Sequence, residues 1–554
     1  MYGRRDLLLV AFVIGIAPGG HCQQPAVARQ ATALHSTTEL VLVPAAVTDS
    51  HGRPRSGLIC ADFTIFDNGI QQQPVSCDEI APPVASPAVV QPEARHTNRP
   101  GKSGNQGLLI VALDFINSPV GDVARMRAAA LRFLSSNVPS DQSTEVVALT
   151  WKGVRVIHPF TTDNRVLQAA LDRALKQGGR RGAMRGVDEH LVHAEADALV
   201  DPSMQDVAAE EHSGALDKIS ADAYFRAVQR RFTSETLENF LEIANGFAGV
   251  PGRKSLLWAS SGFPFAVPDP FERVTPHLDY EFLEKFNELW KMLNAANIAV
   301  YPISLTGITG RSDQSYDASR RTHMKFDSGL SLYDREEQAK QTFLTFASAT
   351  GGHACVEDND IAECFRRAEA ESRSYYLLAF RVDRSQAKPG WHTLKVDMKK
   401  PGARVRARSA YLLSDLEAAP QTTPYDQLIA ALRSPLQYTG VVFEVAWEHP
   451  AHPKHPADVG FVLTIPPDGL PASPTQPVNL RVFAVPMHAS VAVQSQLEPV
   501  DLRLDEPALD QFRQFGVSLH GQLALPQACD AVKFLVIDQN SGVIGSLEFP
   551  LAEE

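Results

Sequence analysis

A cluster of histidines and acids in the middle of the chain has residue types that can bind a metal ion. His190 and His193 are three residues apart and can share one face of a helix, and Glu195 and Asp197 follow them closely. In a zinc protease of the HExxH type the glutamate follows the first histidine, whereas here Glu189 precedes it. The spacing therefore favours a solvated helix face, and a metal-dependent hydrolase remains the alternative.

A serine pair after an apolar run is a second candidate for chemistry. Ser260 and Ser261 follow residues 256–259, as a nucleophilic serine follows a buried strand. The leading glycine of a G-x-S-x-G sequence is absent, and Phe263-Pro264 is a poor start for the helix that should follow. The pattern argues against a catalytic Ser261, and serine-dependent hydrolysis is kept as an alternative function.

Two further segments have charge patterns that suggest ligands. The acidic run 357–360 could bind Ca²⁺, but it lacks the glycine and the distal glutamate of an EF-hand loop. We therefore expect it to cap a helix that starts at Ile361. The glycine-rich basic stretch 178–182 lacks the Gly-Lys-Ser/Thr end of a phosphate-binding loop and follows no strand, so we interpret it as a solvated loop.

The first residues are typical of a secretory signal peptide. A positively charged start precedes the apolar run 7–16, and small residues follow, so residues 1–22 are predicted to be removed. Cys22 raises the alternative of a lipid anchor, although His21 stands where a small residue is needed. No later segment has about 18 uninterrupted apolar residues. We expect an exported protein, periplasmic or extracellular, with no membrane span.

Export permits disulfides, and the cysteine spacing suggests two local ones. Cys60 and Cys77 share one short segment, and Cys355 and Cys364 flank the acidic run, so these two pairs are predicted. Cys529 is left without a partner. The alternative is that the cysteines are small buried apolar residues. No CxxC motif suggests zinc.

Length and charge restrict the fold and the ligand class. A chain of 554 residues is too long for one core, so two or three domains are expected. With 44% hydrophobic and 21% charged residues the chain can fold into globular domains. The net charge of −12 offers no general attraction for nucleic acid or for an anionic membrane surface.

The central region alternates apolar runs with amphipathic helical patterns. Apolar runs without polar alternation predict parallel strands that are buried on both faces. Between the runs, apolar residues recur with the 3.6-residue period of helices. The fold class predicted is α/β, with a doubly wound, mostly parallel sheet that places ligands at the carboxyl ends of its strands. The predicted strands are residues 108–113, 146–149, 256–259 and 298–303.

Strand-rich segments flank this region and define the domain boundaries. Their polar and apolar residues alternate between turn signals, as in small antiparallel β-sandwich units, and the first unit can pair with residues 375–412. The predicted organisation is a signal peptide 1–22, an N-terminal β unit 38–80, a linker 81–106, an α/β domain 107–372 with an insertion 178–232, a second β unit 373–412, a linker 413–437 and a C-terminal β-sandwich 438–554.

With these elements in view, the chain resembles the von Willebrand factor A-related proteins of acidobacteria over nearly its whole mature length. Each landmark alone is short, and their order and spacing together carry the resemblance. It implies a von Willebrand factor A-like α/β domain in an exported protein. The landmarks are Gly57-Leu58, Asp62-Phe63, Asp114 after its strand, Pro251-Gly252-Arg253-Lys254, Val300-Tyr301-Pro302-Ile303, Ala349-Thr350-Gly351-Gly352, Tyr375-Tyr376-Leu377-Leu378 and Val405-Arg406-Ala407-Arg408.

The resemblance also implies a place for a divalent cation. A typical A domain binds Mg²⁺ through an Asp-x-Ser-x-Ser turn after its first strand, a threonine from a second loop and a later aspartate. Here Asp114 and Ser118 match the first motif, but Ile116 replaces the middle serine and cannot ligate. Asn117 offers an amide oxygen instead.

The other two ligand positions are less complete. The threonine is Thr233 or Thr236, and Ser261 stands where the second aspartate would be. Losing a carboxylate and a hydroxyl should weaken Mg²⁺ binding, because neutral oxygens poorly offset the removal of its waters. The alternative is that Asp114 and Ser118 cap the following turn and helix.

These observations predict a binding module and no enzymatic activity. The expected function is protein binding or adhesion through an A-like domain with an incomplete metal-dependent site, and Mg²⁺ is the only cofactor suggested. The expected partner is another protein in the cell envelope or outside the cell. The alternatives are an extracytoplasmic metal- or serine-dependent hydrolase and a structural component of the envelope.

Overall fold

The structure is a computed structural model. It describes residues 38–81, 96–99, 108–135, 142–178, 213–250, 252–263, 280–307, 332–413, 424–448, 458–470, 478–489, 491–493, 499–526 and 529–551.

Helices and strands alternate in the central part of the chain, and strands dominate both ends. The strands are β1 (Thr38–Thr48), β2 (Phe63–Asp67), β3 (Ile70–Gln72), β4 (Pro74–Ile80), β5 (His96–Thr97), β6 (Leu108–Asp114), β7 (Thr144–Thr150), β8 (Gly153–Thr161), β9 (Lys254–Ser260), β10 (Ile298–Ser304), β11 (Tyr375–Asp383), β12 (Gly390–Met398), β13 (Arg404–Ala407), β14 (Ala410–Leu413), β15 (Glu444–Trp447), β16 (Asp458–Ile465), β17 (Val478–His488), β18 (Val491–Ala492), β19 (Val500–Leu504), β20 (Val517–Ala524), β21 (Ala531–Asp538) and β22 (Ile544–Pro550). The helices are α1 (Val120–Ser135), α2 (Asn164–Gly178), α3 (Ser213–Gly246), α4 (Tyr280–Ala295), α5 (Leu332–Thr350), α6 (Ile361–Arg373), α7 (Pro424–Arg433) and α8 (Glu506–Phe515).

The central sheet has the strand order β10-β9-β6-β7-β8. The first four strands are parallel, and β8 pairs antiparallel with β7 at one edge. Strands β6, β9 and β10 are buried at every position, as their uninterrupted apolar sequences predict. The α/β prediction and the four predicted parallel strands are therefore confirmed, and the sheet is mixed because of β8.

Helices cover both faces of this sheet. On one face α1, α2 and α6 bury the side chains of alternate strand residues such as Val111 and Leu257. On the other face α3, α4 and α5 pack around Trp258, Phe240 and Phe346. Because each strand is covered from both sides, the polar groups at the strand ends are the exposed part of the sheet that can meet a ligand.

The N-terminal strands pair with strands that follow the α/β region in the chain. One antiparallel sheet has the order β13-β1-β11-β4, and the other has the order β14-β12-β2-β3. Alternate residues of β1 and β11, including Val43 and Leu378, point into a shared core with Phe63 from β2. The two sheets thus form one β-sandwich from both ends of the α/β region.

A second sandwich is built from the C-terminal part of the chain. Its sheets have the orders β20-β16-β15-β5 and β18-β17-β21-β22, with β19 also on β17. Strand β5 comes from the segment predicted as a linker, and its pairing with β15 draws residues 96–99 into this unit. Asn98 is buried there, donating to the carbonyls of Tyr438 and Val441 and accepting from the amide of Phe443.

The second predicted linker also contains structure. Helix α7 lies within residues 413–437 and buries Leu428 and Ala431 against β21 and β22. Its amphipathic period was visible in the sequence, but a ten-residue helix is short enough to be taken for a connection. Among the described residues, no helix is long and apolar enough to span a bilayer.

Candidate functional site

Asp114 ends the central strand β6 and is the centre of a polar network. Its side chain is completely buried, and its carboxylate accepts five hydrogen bonds. The Oδ1 atom receives the backbone N–H groups of Ile116 and Asn117, both at 2.9 Å. The Oδ2 atom receives Asn117 Nδ2 at 2.8 Å, Trp258 Nε1 at 3.0 Å and Ser260 Oγ at 2.8 Å. A carboxylate has about four lone-pair directions, so this one is saturated with donors.

Burial and hydrogen bonding act on this carboxyl group in opposite directions. Desolvation raises the pKa of Asp114, whereas the donors from Asn117, Ser260 and Trp258 lower it. The net direction is upward because burial penalises the charged form more than the donors favour it. The network therefore serves mainly to accommodate an acid that the sheet has removed from water.

The Asn117 amide connects Asp114 to the helix α3. Its Nδ2 atom donates to Asp114 Oδ2 and, at 2.9 Å, to the hydroxyl of Thr236. The Oδ1 atom of the same amide is buried and has no hydrogen-bond partner among the described residues. One amide nitrogen thus bridges the loop after β6 and the helix on the neighbouring face.

The two threonine candidates have different roles. Both side chains are completely buried in α3. Thr236 donates to the carbonyl of Phe232 at 2.8 Å and accepts from Asn117, so it belongs to the network. Thr233 donates to the carbonyl of Gln229 at 2.9 Å, one turn back in its own helix. Of the two, the structure brings Thr236 to Asp114.

Ser118 and Ser261 form a second network beside the first. The backbone N–H of Ser261 donates to Ser118 Oγ at 3.3 Å, and Ser261 Oγ donates to Asp122 Oδ2 at 2.7 Å. Asp122 lies in the first turn of α1 and forms an ion pair with Arg125. Ser261 therefore ties the loop after β9 to the start of α1, and neither serine is among the five donors to Asp114.

Sequence reasoning missed the contacts that three residues make in this site. Trp258 and Ser260 contact Asp114, and Asp122 holds Ser261. The period of two along parallel strands could have identified the first two, because β6 pairs with β9 so that Leu113 lies opposite Ala259. In that register, Asp114 and Ser260 extend the same pair of strands and face the same side.

The residues present do not fit the cation that the resemblance implies. Mg²⁺ needs oxygen ligands with free lone pairs in an octahedral arrangement. Every direction on Asp114 already meets a donor, and the group between Asp114 and Thr236 is an N–H donor. The hydroxyl of Ser261 donates to Asp122, on the other side of its loop.

Near this edge of the sheet, the acidic run caps a helix as predicted. Asp360 Oδ1 accepts from the backbone N–H of Glu363 at the start of α6. Burial raises the pKa of Asp358, but the backbone N–H of Asp360 and the ion pair with Arg367 together lower it by more, so the net direction is downward. Both acids therefore have structural partners.

Both predicted disulfides are present. Cys60 is joined to Cys77 in the N-terminal sandwich, and Cys355 is joined to Cys364 beside the central sheet. The segment at Cys355 extends the sheet, since Cys355 pairs with Ile303 at the end of β10. Cys529 is buried and forms no disulfide, as the cysteine spacing predicted.

Several predicted features lie outside the described residues. They are the signal peptide 1–22, the histidine cluster from His190 to Asp197 and most of the basic stretch 178–182.

No protein-family model matches this chain, and no curated protein matches it either.

Proposed function

We propose that this chain is an exported protein-binding module with a von Willebrand factor A-like domain, whose recognition surface is the carboxyl edge of the central sheet and works without a metal ion. One observation carries the proposal. The hydrogen-bond network of Asp114 lies where β6 and β9 end side by side, and its donors take the place that a cation would need.

The sheet order supports this location. The chain runs from β6 through β7 to β8 on one side, and then returns to place β9 on the other side of β6. In open α/β sheets such a reversal of strand order opens a crevice at the carboxyl ends, and ligands bind there. A central first strand that ends in Asp114 is also what the resemblance to A domains leads us to expect.

The rim directly around Asp114 is polar and uncharged, and the charged Asp122 and Arg125 form an ion pair beside it. Asn117, Ser118, Ser261 and Thr306 are partly exposed around the buried Asp114. Such a rim can exchange hydrogen bonds with a partner's backbone and side chains without desolvating a free charge. This property supports a protein surface as the ligand. The two disulfides support an exported setting.

Cross-linking tests the location of the surface. A photo-reactive residue replaces Ser118, and the matched control replaces Gln71, which is exposed on the distant N-terminal sandwich. In envelope extracts of the source organism we expect a discrete cross-linked species from position 118 and none from position 71. Equal patterns from the two positions, or none from position 118, would contradict the proposal.

Thermal unfolding with Mg²⁺, Mn²⁺ and a chelator tests the metal-independent mechanism. A ligand that binds the folded chain raises Tm in proportion to ln(1 + [L]/Kd), so we expect equal Tm values with metal and with chelator. Metal-dependent binding is the second candidate, favoured by the unpartnered Oδ1 of Asn117. If the Asn117 amide rotates so that its Oδ1 atom ligates a cation, metal will raise Tm in the wild type and not in Asp114→Ala.

A further inference from the structure

A small cavity lies between the central sheet and the N-terminal sandwich. Its volume is about 10 Å³, close to the space that one water molecule needs. Its walls come from β1, the residue before β9, α4, the start of β10, the end of α5 and the residue after β13. The polar and backbone groups that line it belong to Pro44, Arg253, Asn294, Asn297, Thr350 and Arg408.

Arg253 reaches this cavity as a buried cation with neutral partners. Its side chain is 2% exposed, and its Nη2 atom donates to the hydroxyl of Tyr301 at 2.9 Å and to the carbonyl of Gly351 at 2.7 Å. The rings of Tyr301 and Tyr375 lie 6.0 and 5.8 Å from the guanidinium carbon. Its Nε–H is buried and has no partner among the described residues.

Arg408 approaches the same cavity from the sandwich side. Its guanidinium donates to Asn294 Oδ1 at 3.2 Å and to the carbonyl of Leu42 at 2.8 Å. Its Nε–H is also buried without a partner in the described structure. Burial lowers the pKa of Arg408 to about 10, so the side chain still carries its charge at neutral pH.

One acid that interacts electrostatically with Arg253 is already engaged. Glu371 forms an ion pair with Arg406, and it acts on Arg253 only as a nearby charge. Two guanidinium groups, Arg253 buried and Arg408 partly buried, therefore line one cavity, each with a buried Nε–H that has no partner among the described residues and with only neutral groups as hydrogen-bond acceptors. Charges removed from water without a hydrogen-bonded counter-charge are costly, and an anion would satisfy both the charge and the unused donors.

We propose that this cavity binds one chloride-sized monovalent anion between Arg253 and Arg408, and that the anion fastens the N-terminal sandwich to the α/β unit. A cavity this small favours a single small anion over polyatomic anions such as sulfate or phosphate. Arg253 precedes β9, whereas Arg408 and Pro44 belong to the sandwich, so the anion would contact both units.

Thermal unfolding of the full chain tests the site. Sodium gluconate is replaced by sodium chloride at constant ionic strength, so that general screening stays the same. For the wild type we expect chloride to raise Tm by about 2–4 °C. Arg408→Met should lose this shift. Arg404→Met is the matched control, because Arg404 is exposed on β13 and the chloride shift should persist in that variant.

A second measurement keeps the proposal testable if Arg408→Met does not fold. Chloride-35 NMR of the wild-type chain should show excess line broadening over buffer, and bromide should compete it away. Absence of broadening together with equal Tm values in gluconate and chloride would show that water alone occupies the cavity and would overturn the proposal. A chloride shift of the same size in Arg408→Met would overturn it as well.

Discussion

The amide nitrogen of Asn117 lies between a carboxylate and a hydroxyl. The resemblance to A domains implies a cation at this position. The nitrogen donates to Asp114 at the end of β6 and to Thr236 in α3, and so it joins the strand end to the helix without a metal. A substitution that makes this side chain anionic should therefore test whether the amide replaces a cation.

Asn117→Asp would place a second carboxylate against the buried carboxylate of Asp114. We expect the variant to lose about 2–4 kcal/mol of stability without metal, because like charges oppose each other and one acid must stay protonated. Magnesium gluconate should restore much of the loss by supplying the missing cation. Thermal unfolding with and without Mg²⁺ measures both effects.

Asn117→Ala is the matched control for that experiment. It removes the same hydrogen bonds and adds no charge, so its lower stability should not respond to Mg²⁺. Equal Mg²⁺ responses of the two variants would contradict the idea that the amide replaces a cation.

Glu145 leads to a separate prediction about the pH dependence of stability. It is buried in β7, its Oε2 atom has no partner among the described residues, and desolvation raises its pKa to about 8 from 4.5. The folded state then binds more protons than the unfolded state between these values, so Glu145 lowers stability as pH rises from about 4.5 to about 8. Glu145→Gln should remove that loss and be more stable than the wild type at pH 8 by roughly 2–5 kcal/mol.

Urea unfolding at pH 5 and pH 8 measures this difference. The buried Lys254, whose pKa burial lowers to about 7, changes stability in the opposite direction above that pH, but it is present in both proteins and cancels in the comparison. Glu288→Gln, at an exposed position of α4, is the control and should leave the pH dependence unchanged. A pH dependence that Glu145→Gln leaves intact would refute the assignment.

At the scale of elements, the sequence predicts best where one physical demand dominates. The four parallel strands are readable because a strand covered on both faces must be apolar throughout. The antiparallel β8 was missed because its residues are only partly buried and its sequence mixes apolar, basic and aromatic positions. Strand β5 has only two residues, and its partner lies far along the chain, so no local pattern reveals it.

The same limit applies to the site. The motif after β6 located Asp114 and Asn117, because the end of a buried strand is a local feature. The choice between Thr233 and Thr236 depended on the rotation of α3 against the sheet, which the sequence does not specify. Ser260 depended on the register between β6 and β9.

Gly352 follows α5 where the chain passes directly over β10. A Cβ atom at this position would lie 1.9 Å from the carbonyl oxygen of Val300, inside the sheet. Because backbone cannot yield as a side chain can, Gly352→Ala should cost about 3 kcal/mol or more. Gly121→Ala is the control, since nothing lies within 4 Å of a Cβ there and it sits in α1, so we expect no loss of stability. Chemical unfolding measures the stability of the two variants. Similar losses of stability in both would contradict the close approach of Gly352 to Val300.

For the whole molecule, the path of the chain interlocks the three units. Residues 38–80 pair with strands after the α/β region, and residues 96–99 pair with the C-terminal sheet. The unit boundaries in space therefore differ from boundaries along the chain. Close packing between Gly249 and Gly440, where a Cβ on Gly249 would lie 2.1 Å from Gly440 Cα, joins the α/β unit to the C-terminal sandwich.

Because the units interlock, we predict that the N-terminal sandwich still assembles when the chain is divided into two separately expressed fragments. Residues 38–88 and 89–554, co-expressed with a tag on the shorter chain, should copurify in equal amounts, because β1 pairs with β11 and β13 while β2 pairs with β12. Val43→Asp should abolish copurification, since Val43 is completely buried in the shared core and an unpaired charge there is costly. Leu40→Asp, at a position 53% exposed on the same strand, should copurify as the wild type does. If the shorter chain fails to copurify, or if Val43→Asp and Leu40→Asp behave alike, strand pairing does not hold the two ends of the chain together.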